Sequence, residues 1–141
     1  MKSLTAFVLA LALVSQGCAT GGVRHSAAVG IKTAQTALAL ADEVEASLVC
    51  GQPTAVEGYC ISKTKDIELS KKFVLGFKYV REAVDLYNKT PETAPTPAEI
   101  GILAQKVAAI VLEILADLPD TKEKAKLEST DQIKAIKKGV Q

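Results

Sequence analysis

Three stretches of this chain repeat apolar side chains at intervals of three and four, and glycine or proline closes them. That pattern confines the chain to helices packed face to face. The clearest stretch is the second, where Leu69, Phe73, Phe77, Val80, Val84 and Tyr87 fall on one face of a helix predicted over residues 64–88. Asp66 and Glu68 stand in its first turn, where a carboxylate opposes the positive end of the helix dipole. Glu68 with Lys72, Lys78 with Glu82, and Arg81 with Asp85 lie one turn apart on exposed faces, each pair adding about 0.2–0.5 kcal/mol. This helix carries most of the aromatic residues, and core packing explains them better than an aromatic ligand cage.

Over residues 23–49, Ala27, Ile31, Ala34, Leu38, Ala41, Val44 and Leu48 form a second face, with Gly51 and Pro53 as stop signals. Gly30 and Ala34 stand one turn apart, so a neighbouring helix is expected to approach closely there. Asp42, Glu43 and Glu45 cluster near the C-terminal end and read as a solvated face ahead of a metal site.

The Pro- and Thr-rich residues 89–96 break the chain again. Thr96-Pro97-Ala98-Glu99 then carries a capping signal, with Thr96 at the N-cap, Pro97 at the first helical position and Glu99 three residues after the cap. The third helix runs to Leu118 and stops before Pro119. Its Ile100, Leu103, Ala104, Val107, Ile110, Val111, Ile114, Leu115 and Leu118 cover more than one stripe. The excess is either wedged between the first two helices or offered to a partner, and Ile102, Leu103, Ile110 and Ile114 are the candidate interaction face. Gln105 and Lys106 in mid-helix argue against a membrane span. In residues 120–141 lysines interleave with acids. Ser129-Thr130-Asp131-Gln132 could cap a short helix docking Ile133, Ile136 and Val140, or the segment is a frayed charged tail. The expected fold is all-α, a small antiparallel bundle of three long helices over residues 23–119, with room for a short fourth helix at the C-terminus.

The chain opens differently. Lys2 supplies a positive n-region, and residues 4–14 form an uncharged apolar run, followed by Val14-Ser15-Gln16-Gly17-Cys18. The run is shorter than the roughly 20 residues needed to cross a bilayer. These residues resemble the signal and lipobox of bacterial lipoproteins, in which small or apolar residues precede the cysteine that is lipidated. Ser15 stands where leucine is usual and Gln16 is polar, and both are tolerated variants. The resemblance implies a signal peptide over residues 1–17, a diacylglycerol on the Cys18 sulfur, cleavage after Gly17 and an acylated new amino terminus. Two or three chains would anchor the protein stably, each buried CH₂ adding about 0.8 kcal/mol. Ala19 after the cysteine resembles cargo sorted to the outer membrane, facing the periplasm. Residues 18–22 would form the lipidated cysteine and a flexible tether. The alternative is an ordinary secretory signal cut after Gly21, where Ala19 and Gly21 fit a small-x-small site and leave a soluble periplasmic protein.

The chain contains 3 cysteines, an odd number for an exported protein. With Cys18 lipidated, Cys50 and Cys60 remain as a pair flanking a loop, and an oxidising envelope favours a structural bridge between them. Two buried free thiols or a redox pair are the alternatives, and the Cys-x-x-Cys spacing of a redox pair is absent. Of 17 basic and 16 acidic residues, removal of the signal takes Lys2, so the mature chain is neutral and has no electrostatic footprint for nucleic acid. His25 is the single histidine and reads as an exposed polar residue. Histidine-based metal sites, catalytic triads and haem attachment therefore lack their residues, and no phosphate loop or dinucleotide fingerprint is present. The carboxylates read as scattered surface groups without the buried setting of acid catalysis.

No cofactor and no catalytic residue is expected. The leading expectation is a lipid-anchored cell-envelope protein acting as a helical interaction or scaffold module, with the membrane and an envelope protein as partners. A different class is a binder of small apolar ligands between Phe73, Phe77 and the third helix. A periplasmic inhibitor or exclusion factor is a third.

Overall fold

The computed structural model describes residues 20–140, and the expected signal peptide and Cys18 lie outside them. Among the described residues the order is α1 (Thr20–Leu48), α2 (Lys63–Lys89), α3 (Ala98–Asp117), α4 (Lys122–Glu128) and α5 (Asp131–Val140). The first three pack against one another as an antiparallel bundle, and α4 and α5 fold back onto α1.

Two clusters of contacts set the directions. At one end Arg24 of α1 donates from Nη1 to the Thr90 carbonyl at 2.8 Å and from Nη2 to the Tyr87 carbonyl at 3.3 Å, its guanidinium 4.3 Å above the Tyr87 ring. A cation on the last carbonyls of α2 complements that helix's dipole and ties the start of α1 to the end of α2. At the other end Lys72 and Lys65 at the start of α2 reach Asp117 at the end of α3, at 3.0 and 3.2 Å, and Lys72 also reaches Glu113 at 3.3 Å. Lys72 first, then Lys65, hold the Asp117 carboxyl below the ordinary carboxylate range.

The apolar stripes meet in the middle. Leu38, Leu69, Val111 and Ile114 are fully enclosed, while Ala34, Ala37 and Ala41 of α1 leave room for close approach. On α2 the space is tighter still: a Cβ at Gly76 would stand 2.8 Å from Leu38 Cδ2. A smaller cluster of Ile31, Ala83, Ile100 and Leu103 continues the core toward the Arg24 end.

Helix ends follow local chemistry, with three departures from the sequence expectation. The first is at α1, which takes in Thr20, Gly21 and Gly22, residues that composition assigns to the tether. Extending a formed helix adds one hydrogen bond per residue without a new nucleus, so packing further along α1 carries the weak helix formers with it. The second is at α3, which is capped by Pro97, in an extended conformation and with no side-chain cap bond, not by Thr96. With Pro97 outside the helix, Thr96 and Glu99 are out of register for the reciprocal cap. The third is at the C-terminus, where residues 120–141 hold two helices in place of a tail or a single one. Thr121 accepts from Lys124 N at 3.2 Å to start α4, and Thr130 Oγ1 accepts from Ile133 N at 3.4 Å to start α5. Leu127, Ile133 and Ile136 enter the main core, and the Val140 side chain lies outside the described set. By contrast α2 matches its prediction to within one residue at each end, with Ser62 accepting from Lys65 N at 3.3 Å.

The α1–α2 connection is stapled. Cys50 and Cys60 form a disulfide with their Cα atoms 4.9 Å apart. Beneath it Cys50 N donates to Ile61 O at 2.9 Å and Ile61 N to Leu48 O at 2.8 Å. Gly51, the expected stop, adopts φ 96°, a left-handed conformation suited to glycine.

Candidate functional site

The residues nominated on α3 do not form a face. Leu103, Ile110 and Ile114 are 8 %, 8 % and 0 % exposed, so they belong to the core, and Ile102 alone reaches the surface at 38 %. The apolar excess of α3 is therefore largely wedged between neighbouring helices. On the aromatic stripe Phe73 is buried in the main core and Phe77 packs against it.

A concavity lies between α1, α3 and α5. On α1, Ser26, Gly30 and Thr33 recur at helical spacing, as do Gly101, Gln105 and Ala108 on α3, and Ile136 with Gly139 closes the third side. Each helix presents small side chains there, so the three backbones enclose space that larger residues would have filled. The result is an apolar groove of about 740 Å³, within the roughly 300–1,000 Å³ of small-molecule sites. Val29 and Ile102, the large apolar residues left exposed beside it, belong to its lining, as does the exposed His25.

Gly30 was a signal of a different kind from the one expected. Among the described residues no helix closes on it, because a Cβ built there meets nothing within 4 Å, and the same holds at Gly139. Both glycines border open groove. Sequence reasoning missed α5 as a wall of this site, because its register against α1 rests on contacts remote along the chain.

The groove occupies the end of the bundle where α1 begins. Its α1 lining lies in residues 25–34, and Arg24, immediately before it, is clamped to the end of α2. The disulfide loop and the Lys65–Lys72–Asp117 ion pairs lie at the opposite end.

That distant end also holds an acid the sequence reading placed in solvent. Asp42 and Glu43 are exposed, but Glu45 is 4 % exposed, and its Oε1 has no hydrogen-bond partner among the described residues. It stands four residues after Ala41 and three before Leu48, on the buried face. Burial chiefly, then a hydrogen bond to Asp66 and the charges of Asp66 and Asp42, push its carboxyl up to about 7. Burial likewise raises Asp42, helped by Glu43. The groove lining includes none of these acids.

The sign of the resulting pH dependence follows from linkage. The unfolded chain releases the Glu45 proton near 4.5 and the folded chain near 7. The stabilising difference is complete below the lower value and is lost as pH rises through the upper one. After allowing for solvent access to the carboxylate, the wild-type protein is expected to lose about 1–2 kcal/mol between about pH 5 and pH 8. Glu45→Gln is expected to flatten that slope, checked by urea unfolding across the range; an unchanged slope would place the proton uptake elsewhere.

Among the described residues no group of three or more His, Cys, Asp or Glu is arranged to hold a metal ion, and no helix is long and apolar enough to cross a membrane. Comparison with protein-family models, curated proteins and solved structures finds no match to this chain.

Proposed function

We propose that this protein is a lipid-anchored component of a bacterial cell envelope, held at the outer membrane facing the periplasm, whose helical body is a binding module without catalysis. The observation that carries the proposal is the apolar groove, which lies at the end of the bundle where α1 starts, directly after Cys18-Ala19. With Cys18 acylated, so short a spacer would hold the groove end against the bilayer and turn the disulfide end away from it. The Cys50–Cys60 bridge supports the same scheme, because it leaves Cys18 as the cysteine available for lipid. The groove takes over the binding role first assigned to the face of α3, since Ile102 is the nominated residue that remains accessible there.

Intact mass of the protein extracted from membranes tests the anchor. The expected mass is that of residues 18–141 plus a diacylglyceryl group and an N-acyl chain, less the two hydrogens of the disulfide. A mass beginning at Gly22 would refute the lipid anchor.

A further inference from the structure

We infer that the groove between α1, α3 and α5 binds one acyl chain of an anionic membrane phospholipid. The inference builds on the proposed anchoring only for how the ligand is reached; the groove itself stands on its own geometry. Its lining is mostly small or aliphatic, and among the described residues along it there is no Phe, Tyr or Trp. Its α1 wall, residues 25–34, extends about 14 Å at 1.5 Å per residue, a trough suited to a thin flexible chain. An acyl chain asks for no hydrogen bonds. The polar side chains of the lining, His25, Ser26, Thr33, Thr96 and Gln105, stand among a larger number of alanine, glycine, valine and isoleucine residues.

A second copy of the chain fits less well. A two-fold interface must be self-complementary, and a concave groove facing its own image encloses a void. Charge selects among lipids. Lys134 and Lys138 are exposed on α5 beside the lining residues Ala135 and Gly139, and His25 is exposed on α1. Glu99, exposed on α3 between the lining residues Ala98 and Ile100, is the acid beside the groove, and the two lysines outnumber it, which favours a phosphate headgroup.

Two glycines make the inference testable without disturbing the core. Because a Cβ at Gly30 or Gly139 meets nothing within 4 Å, a leucine at either place projects into the groove. Leucine is also the better helix former. The full-length protein, as extracted, is reconstituted into vesicles of phosphatidylethanolamine and phosphatidylglycerol. These are doped with a phosphatidylglycerol bearing a diazirine at the end of one acyl chain, and illumination is followed by peptide mapping.

Crosslinks are expected in residues 25–34 and 101–108. Gly30→Leu and Gly139→Leu should each lower them by about fifteenfold, the effect of displacing roughly two methylenes at about fourfold each. Val74→Leu, on the exposed face of α2 away from the groove, should leave them unchanged. Thermal unfolding of each variant at or above the wild-type midpoint shows that the fold is kept.

Labelling confined to segments outside the groove, or unaltered in both glycine variants, would overturn the inference. So would a dimer in detergent that Gly30→Leu dissociates, or capture of an envelope protein lost in Gly30→Leu while lipid labelling persists. The intact mass of the same sample reports separately on Cys18. Loss of the anchor with retained groove labelling removes the attachment alone, whereas a lipidated protein without groove labelling removes the acyl-chain site alone.

Discussion

Truncating Ile114 to alanine is expected to lower the free energy of unfolding by about 2–5 kcal/mol, whereas the same change at Ile102 should stay within about 0.5 kcal/mol. Both residues belong to one apolar helix and both were drawn, from sequence, onto one candidate face. Ile114 is 0 % exposed in the main core, where removing its branched chain leaves a cavity among close-packed neighbours. Ile102 is 38 % exposed beside the groove, where lost methyl groups are replaced by solvent. Denaturant unfolding of the two variants, compared at constant m-value, provides the check. Equal and small losses would mean that the α3 stripe is surface after all, and would restore the interaction face that the packing removes.

The second large effect concerns the staple. Replacing Cys50 and Cys60 together by serine is expected to reduce stability by about 2–3 kcal/mol, through greater freedom of the unfolded chain across a sequence separation of 10. The native loop has other ties. Cys50 N–Ile61 O, Ile61 N–Leu48 O and the 2.6 Å bond from Thr54 Oγ1 to Ser47 O do not depend on the sulfurs. Helix content by circular dichroism at low temperature should therefore be unchanged while the urea midpoint falls. A loss of helix in the folded baseline would show instead that the bridge organises the ends of α1 and α2.

These two cases separate what could be read along the chain from what could not. The cysteine pairing was legible because few thiols are available, a loop lies between them, and parity follows once Cys18 is set aside. The helices were legible because the 3.6-residue period, glycine, proline and capping side chains act within a few residues. Even the start of α5 at Thr130 was within reach, while α4 was not, having a single buried residue, Leu127, to mark it.

Faces were harder. Periodicity tells which residues share a side of a helix but not what that side meets, so Ile102 and Ile114 were grouped although packing divides them. Glu45 shows the same limit from the opposite direction. Its spacing to Ala41 and Leu48 puts it on the apolar face, yet charge argued for solvent, and the junction with Asp66 of α2 decided the outcome.

A helical bundle, its long segments and its stapled turn could be read along the chain, because those depend on local backbone preference and short-range closure. Whether α3 was wedged or exposed, where a buried acid would sit, and that Gly30 and Gly139 would border a groove depended on how the helices pack. Those properties come from the registers of α1, α3 and α5 against one another. Such registers are set by the sum of many weak contacts between residues far apart in the chain.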